Sequence, residues 1–212
     1  MALPVGQQVA IAGLFKQVDA FTNPGQGLGV NSYGQELSNS EGRKPTYTAC
    51  INAYTPQATP HDFLTLTGNA GVVARLLAIE VFYAATAAAA YEVGVYYNSA
   101  ADTGGTSTAL TAVPHDPTDG AASCSVVAYT GAPTAGTAVG LIRAGRVVGG
   151  TTTGGGSGIC PLLFSWTANN DKAPVLRAAN QQIVLNGFAT ALPSGSVFEI
   201  RVTWSEESLT GN

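Results

Sequence analysis

Charge is scarce in this chain. Lys and Arg number 9 and Asp and Glu 13 among 212 residues, so 10% are charged while 45% are hydrophobic. The basic residues are scattered between Lys16 and Arg201 with no cluster able to neutralise successive phosphates, and the net charge is −4, so nucleic acid is not an expected partner. Cys50, Cys124 and Cys160 are odd in number and far apart, which suits neither a disulfide framework nor a CxxC-type metal site. They are expected to be free, buried thiols packing as small hydrophobes. No apolar run reaches the roughly 18 residues of a membrane span, the longest being broken by Arg75 and Glu80, so no membrane partner is expected. The opening MALPVGQQVAIAGLFKQ lacks both a basic residue ahead of its apolar stretch and an ordinary small-residue cleavage site, which predicts synthesis and folding in a cytoplasm.

Apolar side chains are abundant, in two styles. Residues 1–45 carry short apolar islands followed by NPGQGLGVNSYGQELSNSEGRKP, a composition poor at closing a core of its own. The islands still need burial, which predicts an extended arm laid on this domain or on a neighbouring subunit. Its anchors are read as Leu3, Val5, Val9, Ile11, Leu14, Phe15, Val18 and Phe21.

From Thr46 the apolar period becomes two, and no helix-period segment of useful length follows, which sets aside alternating βαβ organisation. Strands are predicted at TYTACINAY, HDFLTLTG, LLAIEVFY, YEVGVYY, SCSVVAYT, AVGLIRAGRVV, ICPLLFSWT, QQIVLNGF and VFEIRVTW. In LLAIEVFY, Leu77, Ile79, Val81 and Tyr83 share one side, and this strand and YEVGVYY read as successive antiparallel strands joined by a small-residue connection. In VFEIRVTW, Phe198, Ile200, Val202 and Trp204 should face the core, with Pro193-Ser194-Gly195-Ser196 turning a carboxy-terminal hairpin from QQIVLNGF. Long loops are expected at 98–117 and 149–158. The fold expectation is all-β: an antiparallel β-sandwich of jelly-roll type over residues 46–212, with the extended arm before it.

Candidate chemistry is thin. Both histidines stand in Pro-His-Asp triplets, at His61-Asp62 and His115-Asp116, and read better as turn punctuation with the Asp oxygen capping than as metal ligands. GGSG at 155–158 lacks the pattern of a nucleophile elbow, and GQGLG at 25–29 has neither the helix nor the lysine of a phosphate loop. Glu206 and Glu207 read as the solvated end of the chain, and Tyr91, Tyr96, Tyr97 and Tyr129 as strand tyrosines rather than a sugar-stacking face. No catalytic residue, cofactor or metal is expected.

The segment GGTSTALTAVPHDPTDGAASCSVVAYTGAPTAGTAVGLIRAGRVV carries a more specific order of residues: an ADTGGTST turn, then TAVPHD, then a hairpin of the form AYTxxPxxGTAVGxIR. In this it resembles a group of small tailed-bacteriophage virion proteins, and QQIVLNGF with PSGSVFEIRVTW fits the same group. The likeness runs from about Phe63 to Glu206 and leaves residues 1–60 outside. It implies a non-enzymatic virion protein that decorates or stabilises the capsid or forms part of a head or neck spike. Its partners would be the major capsid protein or other virion proteins and further copies of itself, a trimer being the expected oligomer, with assembly in the host cytoplasm. The alternative is a tail-fibre or receptor-binding module that recognises a host-surface glycan through the two long loops.

Overall fold

The computed structural model describes residues 44–87, 89–149, 161–166, 172–187 and 191–209, together with the backbone of 29–30 and 36–37. The eight expected arm anchors, Leu3 to Phe21, lie outside the described residues, as do Cys160 and most of the 149–158 loop. The chain divides between Arg43 and Lys44. In the first unit, β1 (Gly29–Val30) pairs antiparallel with β2 (Glu36–Leu37).

The second unit is built from β3 (Thr46–Tyr54), β4 (Asp62–Thr67), β5 (Val72–Ala84), β6 (Ala89–Asn98), β7 (Thr106–Leu110), β8 (Ala112–Pro114), β9 (Ser125–Gly131), β10 (Ala138–Gly149), β11 (Leu162–Ser165), β12 (Val175–Leu176), β13 (Gln182–Gly187) and β14 (Val197–Ser208). One sheet runs β10-β6-β13-β4-β9-β7 and the other β11-β5-β14-β3-β8, with β12 also beside β5. All pairings are antiparallel, as the alternating apolar pattern of half-buried strands requires.

The pairings β3 with β14, β4 with β13, β5 with β11 and β6 with β10 describe one long antiparallel ribbon, running out along β3 to β6 and back along β10 to β14. Rolling that ribbon places its successive strands in alternate sheets, which is the jelly roll. β7, β8 and β9 are an insertion at the ribbon's far end; they extend the two sheets past β4 and β3.

This topology corrects three local readings. β13 and β14 do not form a hairpin, since they belong to different sheets and Pro193 to Ser196 carries the chain across the sandwich. β5 and β6 are likewise divided between the sheets, and β9 and β10 lie in one sheet but are not neighbours. Period-two alternation reports which side of a strand is buried and is silent about which strand lies beside it. The expected 98–117 loop contains β7 and β8.

The core lies between the sheets, and its inward residues on β14 are those expected: Phe198, Ile200, Val202 and Trp204 are buried, each contributing about 1.5–3 kcal/mol. Phe198 packs on Tyr83 at 5.0 Å, Phe63 at 5.7 Å and Tyr91 at 6.0 Å between ring centroids, while Trp204 stacks on Tyr47 at 5.8 Å. On β5, Ile79, Val81 and Tyr83 point inward as read, but Leu77 does not continue the series. Thr203 stands opposite Ala78 and Trp204 opposite Leu76, so Leu77 is the extra residue of a β-bulge and Leu76 takes the core position.

Candidate functional site

On the outer side of the first sheet, polar side chains are buried where a plain sandwich would leave them wet. Asp62 stands at the start of β4, Asn98 at the end of β6 and Gln182 at the start of β13, with the half-buried Asn186 near the other end of β13. They are covered by two loops, the one leaving β6 and the one entering β10. Thr103 and Thr134 exchange both backbone bonds, Thr103 N–H to Thr134 O at 3.0 Å and the reverse at 2.8 Å. Ser99 N–H bonds to Thr137 O at 2.8 Å. The loops can approach this closely because position 136 is glycine: a Cβ there would stand 2.0 Å from the Ala100 carbonyl oxygen.

Asp102 ties this clasp to the sheet. Its backbone N–H donates to Gln182 Oε1 at 2.8 Å, and its Oδ1 accepts from Gly136 N–H at 2.8 Å and from Asn98 Nδ2 at 3.4 Å. Its Oδ2 is buried with no hydrogen-bond donor, and the carboxylate beside it is that of Asp62, which accepts from Asn186 Nδ2. Burial pushes the Asp102 carboxyl up to about 6; the Gly136 and Asn98 hydrogen bonds work against the rise and the Asp62 charge adds to it. Beside the pair opens a cleft of about 150 Å³ lined by Asp62, Tyr96, Asn98, Ala135, Gly136, Ala138 and Asn186.

A second buried carboxyl, Glu206, was expected at a solvated end of the chain and is instead 5% exposed within β14. Its Oε1 accepts from Cys124 N–H at 2.9 Å and Trp204 Nε1 at 2.8 Å, and its Oε2 from Ser123 N–H at 2.9 Å. The alternation Phe198, Ile200, Val202, Trp204 carries one step further to Glu206, so the inward position was legible. An acidic side chain there simply needs donors, and the segment entering β9 supplies two of them.

The remaining candidates fall where turn chemistry places them. His61 is buried, with Nδ1 2.7 Å from Thr59 O, whereas His115 contacts Thr48 Oγ1 at 2.7 Å beside the other sheet. Asp116 caps its turn by accepting from Thr118 N–H at 2.9 Å and Thr118 Oγ1 at 2.8 Å. Among the described residues no three His, Cys, Asp or Glu side chains gather for a metal. Tyr91 faces the core and Tyr96 the outer cleft, so the tyrosines do not share one face. Cys124 is buried, and burial with Glu206 beside it pushes its thiol up to about 12. Cys50 is exposed, against expectation, because its neighbour Ala49 takes the inward position on β3.

Sequence reading missed Asp102, although the residue lies in the ADTGGTST turn that carried the resemblance. Asp102, Gly105 and Gly136, all in that motif region, build the clasp. Gly105 has φ of +74° and a Cβ there would stand 2.7 Å from the Gly131 carbonyl oxygen. No family model matches the chain, and neither a curated protein nor a solved structure matches it.

Proposed function

We propose that this chain is a non-enzymatic structural protein of a tailed-bacteriophage virion, decorating or stabilising the capsid or forming part of a head or neck spike. It acts as a homo-oligomer, with a trimer expected, and residues 1–45 attach it to the major capsid protein or another virion protein. The observation that carries this reading is where the sandwich places its exposed apolar side chains. Of six large hydrophobics exposed among the described residues, Val139, Leu141 and Val148 lie on β10 and Leu163 on β11. These are edge strands of the two sheets on the same side of the sandwich, where isolated proteins ordinarily place charge to discourage pairing. The charges β10 does carry are engaged within the chain: Arg143 donates to Ser165 O at 2.8 Å and lies over the Trp166 ring, and Arg146 pairs with Glu92. An edge so composed suits burial against another copy, and a low overall charge suits a surface committed to neighbours.

The test has two parts. Light scattering on the purified chain should give a multiple of 21.5 kDa, reduced to one copy by Leu141→Glu with Leu163→Glu; a wild-type mass of 21.5 kDa removes the oligomer. Deleting residues 1–45 should abolish binding to particles while sparing the β-sheet circular dichroism signal. Retained binding rules out the arm. A second reading, a receptor-recognition module for a host-surface glycan, draws on the cleft beside Asp62, whose carboxylate, two Asn amides and Tyr96 suit sugar hydroxyls. Preference on a glycan array would favour it over pure assembly.

A further inference from the structure

The clasp over the first sheet holds two carboxylates together without giving them enough donors. Asp62 is 6% exposed and Asp102 8% exposed, so neither charge is relieved by bulk water. The Asp102 Oδ2 atom receives no donor, and the Asp62 carboxylate lies within hydrogen-bonding reach of the Asp102 carboxyl. A purely structural cluster would supply a donor there, as the Glu206 site does. The groups around the pair are oxygen-bearing and neutral: the Asn98 and Asn186 side-chain amides, each now touching one of the carboxylates through its nitrogen. Rotation of either amide by half a turn exchanges nitrogen for oxygen at the same place. Sulfur and imidazole are absent from this set, which disfavours zinc or copper and favours a hard cation.

The geometry points to a divalent-cation site of calcium type between Asp62 and Asp102, completed by the amide oxygens of Asn98 and Asn186 and by water from the adjoining cleft. Two carboxylate charges balance one divalent ion, and the cleft of about 150 Å³ has room for the waters that fill an irregular six- to eight-oxygen shell. The ion would join β4, β6 and β13 to the clasp and so fix the loops that carry the ADTGGTST turn and the PxxG segment. Bound calcium would thereby set the shape of the surface these loops present. This inference rests on the clasp alone and stands whether or not the virion reading does.

The experiment uses the full chain stripped with EDTA at neutral pH. Calcium at about a hundred-fold excess over its Kd should raise the melting temperature by roughly 5–10 °C, and magnesium by less. Terbium should bind with emission sensitised through Tyr96, which lines the cleft, and calcium should displace it. Asp102→Asn should fold, melt independently of calcium and lose the terbium signal, whereas Asp116→Asn, in an exposed turn, should keep both responses. Asp62→Asn serves the same purpose should Asp102→Asn fail to fold. An unchanged wild-type melting temperature overturns the proposal and leaves a shared proton as the answer to the paired carboxylates. An equal calcium shift in Asp102→Asn also overturns it, and a magnesium shift as large as that of calcium overturns the calcium assignment.

Discussion

Glu206 and Asp102 are buried to nearly the same degree, 5% and 8% exposed, and differ in what surrounds them. Glu206 sits at the end of β14 with three donors aimed at its two oxygens. Asp102 sits in a loop with one oxygen satisfied, the other bare and a second carboxylate alongside. Desolvation costs both groups several kcal/mol, so the difference must be met by donors at one and by a proton or cation at the other. The first arrangement is a finished structural joint that pins the segment entering β9 to the core. The second leaves a buried carboxylate oxygen without a donor, and it lies under the part of the sequence with the most specific residue order.

The largest effect should come from breaking the finished joint. Glu206→Ala leaves the Cys124 N–H and the Trp204 indole N–H buried without an acceptor, and takes the acceptor from the more exposed Ser123 N–H as well. At roughly 1–3 kcal/mol for each stranded donor, urea denaturation should show a loss of about 4 kcal/mol or more. Asp102→Asn in EDTA should lie within about 0.5 kcal/mol of wild type or above it, since the new amide gives Asp62 a donor and the retained oxygen still accepts from Gly136. A loss at Asp102 equal to that at Glu206 would erase the distinction between the two sites.

A smaller effect should follow from unseating the clasp while leaving both carboxylates intact. Gly136→Ala sets a methyl against the Ala100 carbonyl, and relieving that overlap should cost about 1–3 kcal/mol. The Thr103 and Thr134 amides, which close the clasp, should then exchange hydrogen faster while the Cys124 amide at the Glu206 joint keeps its protection. Gly120→Ala, where a Cβ meets nothing within 4 Å, is the matched control and should change stability by less than about 0.5 kcal/mol.

The two sites were not equally legible. Inward positions on β14 followed from a period of two, and the same period reached Glu206; the reading stopped at Trp204 because an acidic residue near a chain end is ordinarily solvated. Asp102 had no such signal. Its burial depends on Gly136 lying against Ala100 and on β13 presenting Gln182, contacts between segments far apart in sequence. Long-range contacts of that kind also decided the strand partners, which is why strand positions were readable and the hairpins were not. The bulge at Leu77 escaped for a related reason: it is visible only in the register against β14.

Glu207 completes the series as the most exposed of these acids, and it should give the smallest effect. It follows Glu206 on β14 and meets Arg75 and Lys44, the latter with Nζ at 3.1 Å, and its side chain is 38% exposed. What burial it has tends to raise its carboxyl, but Lys44 and Arg75 outweigh that and hold it below the ordinary glutamate value of 4.5. A carboxyl lowered in the folded state stabilises the fold above its unfolded value and loses that contribution as pH falls through the folded one. Glu207→Gln should therefore cost at most about 1 kcal/mol at neutral pH, less in high salt, with the gap to wild type closing as the solution is acidified below the ordinary glutamate range. A gap that persists in acid would mean that Glu207 acts through packing rather than charge, and the ordering of the three acids by burial and donor supply would then have to be argued from shape alone.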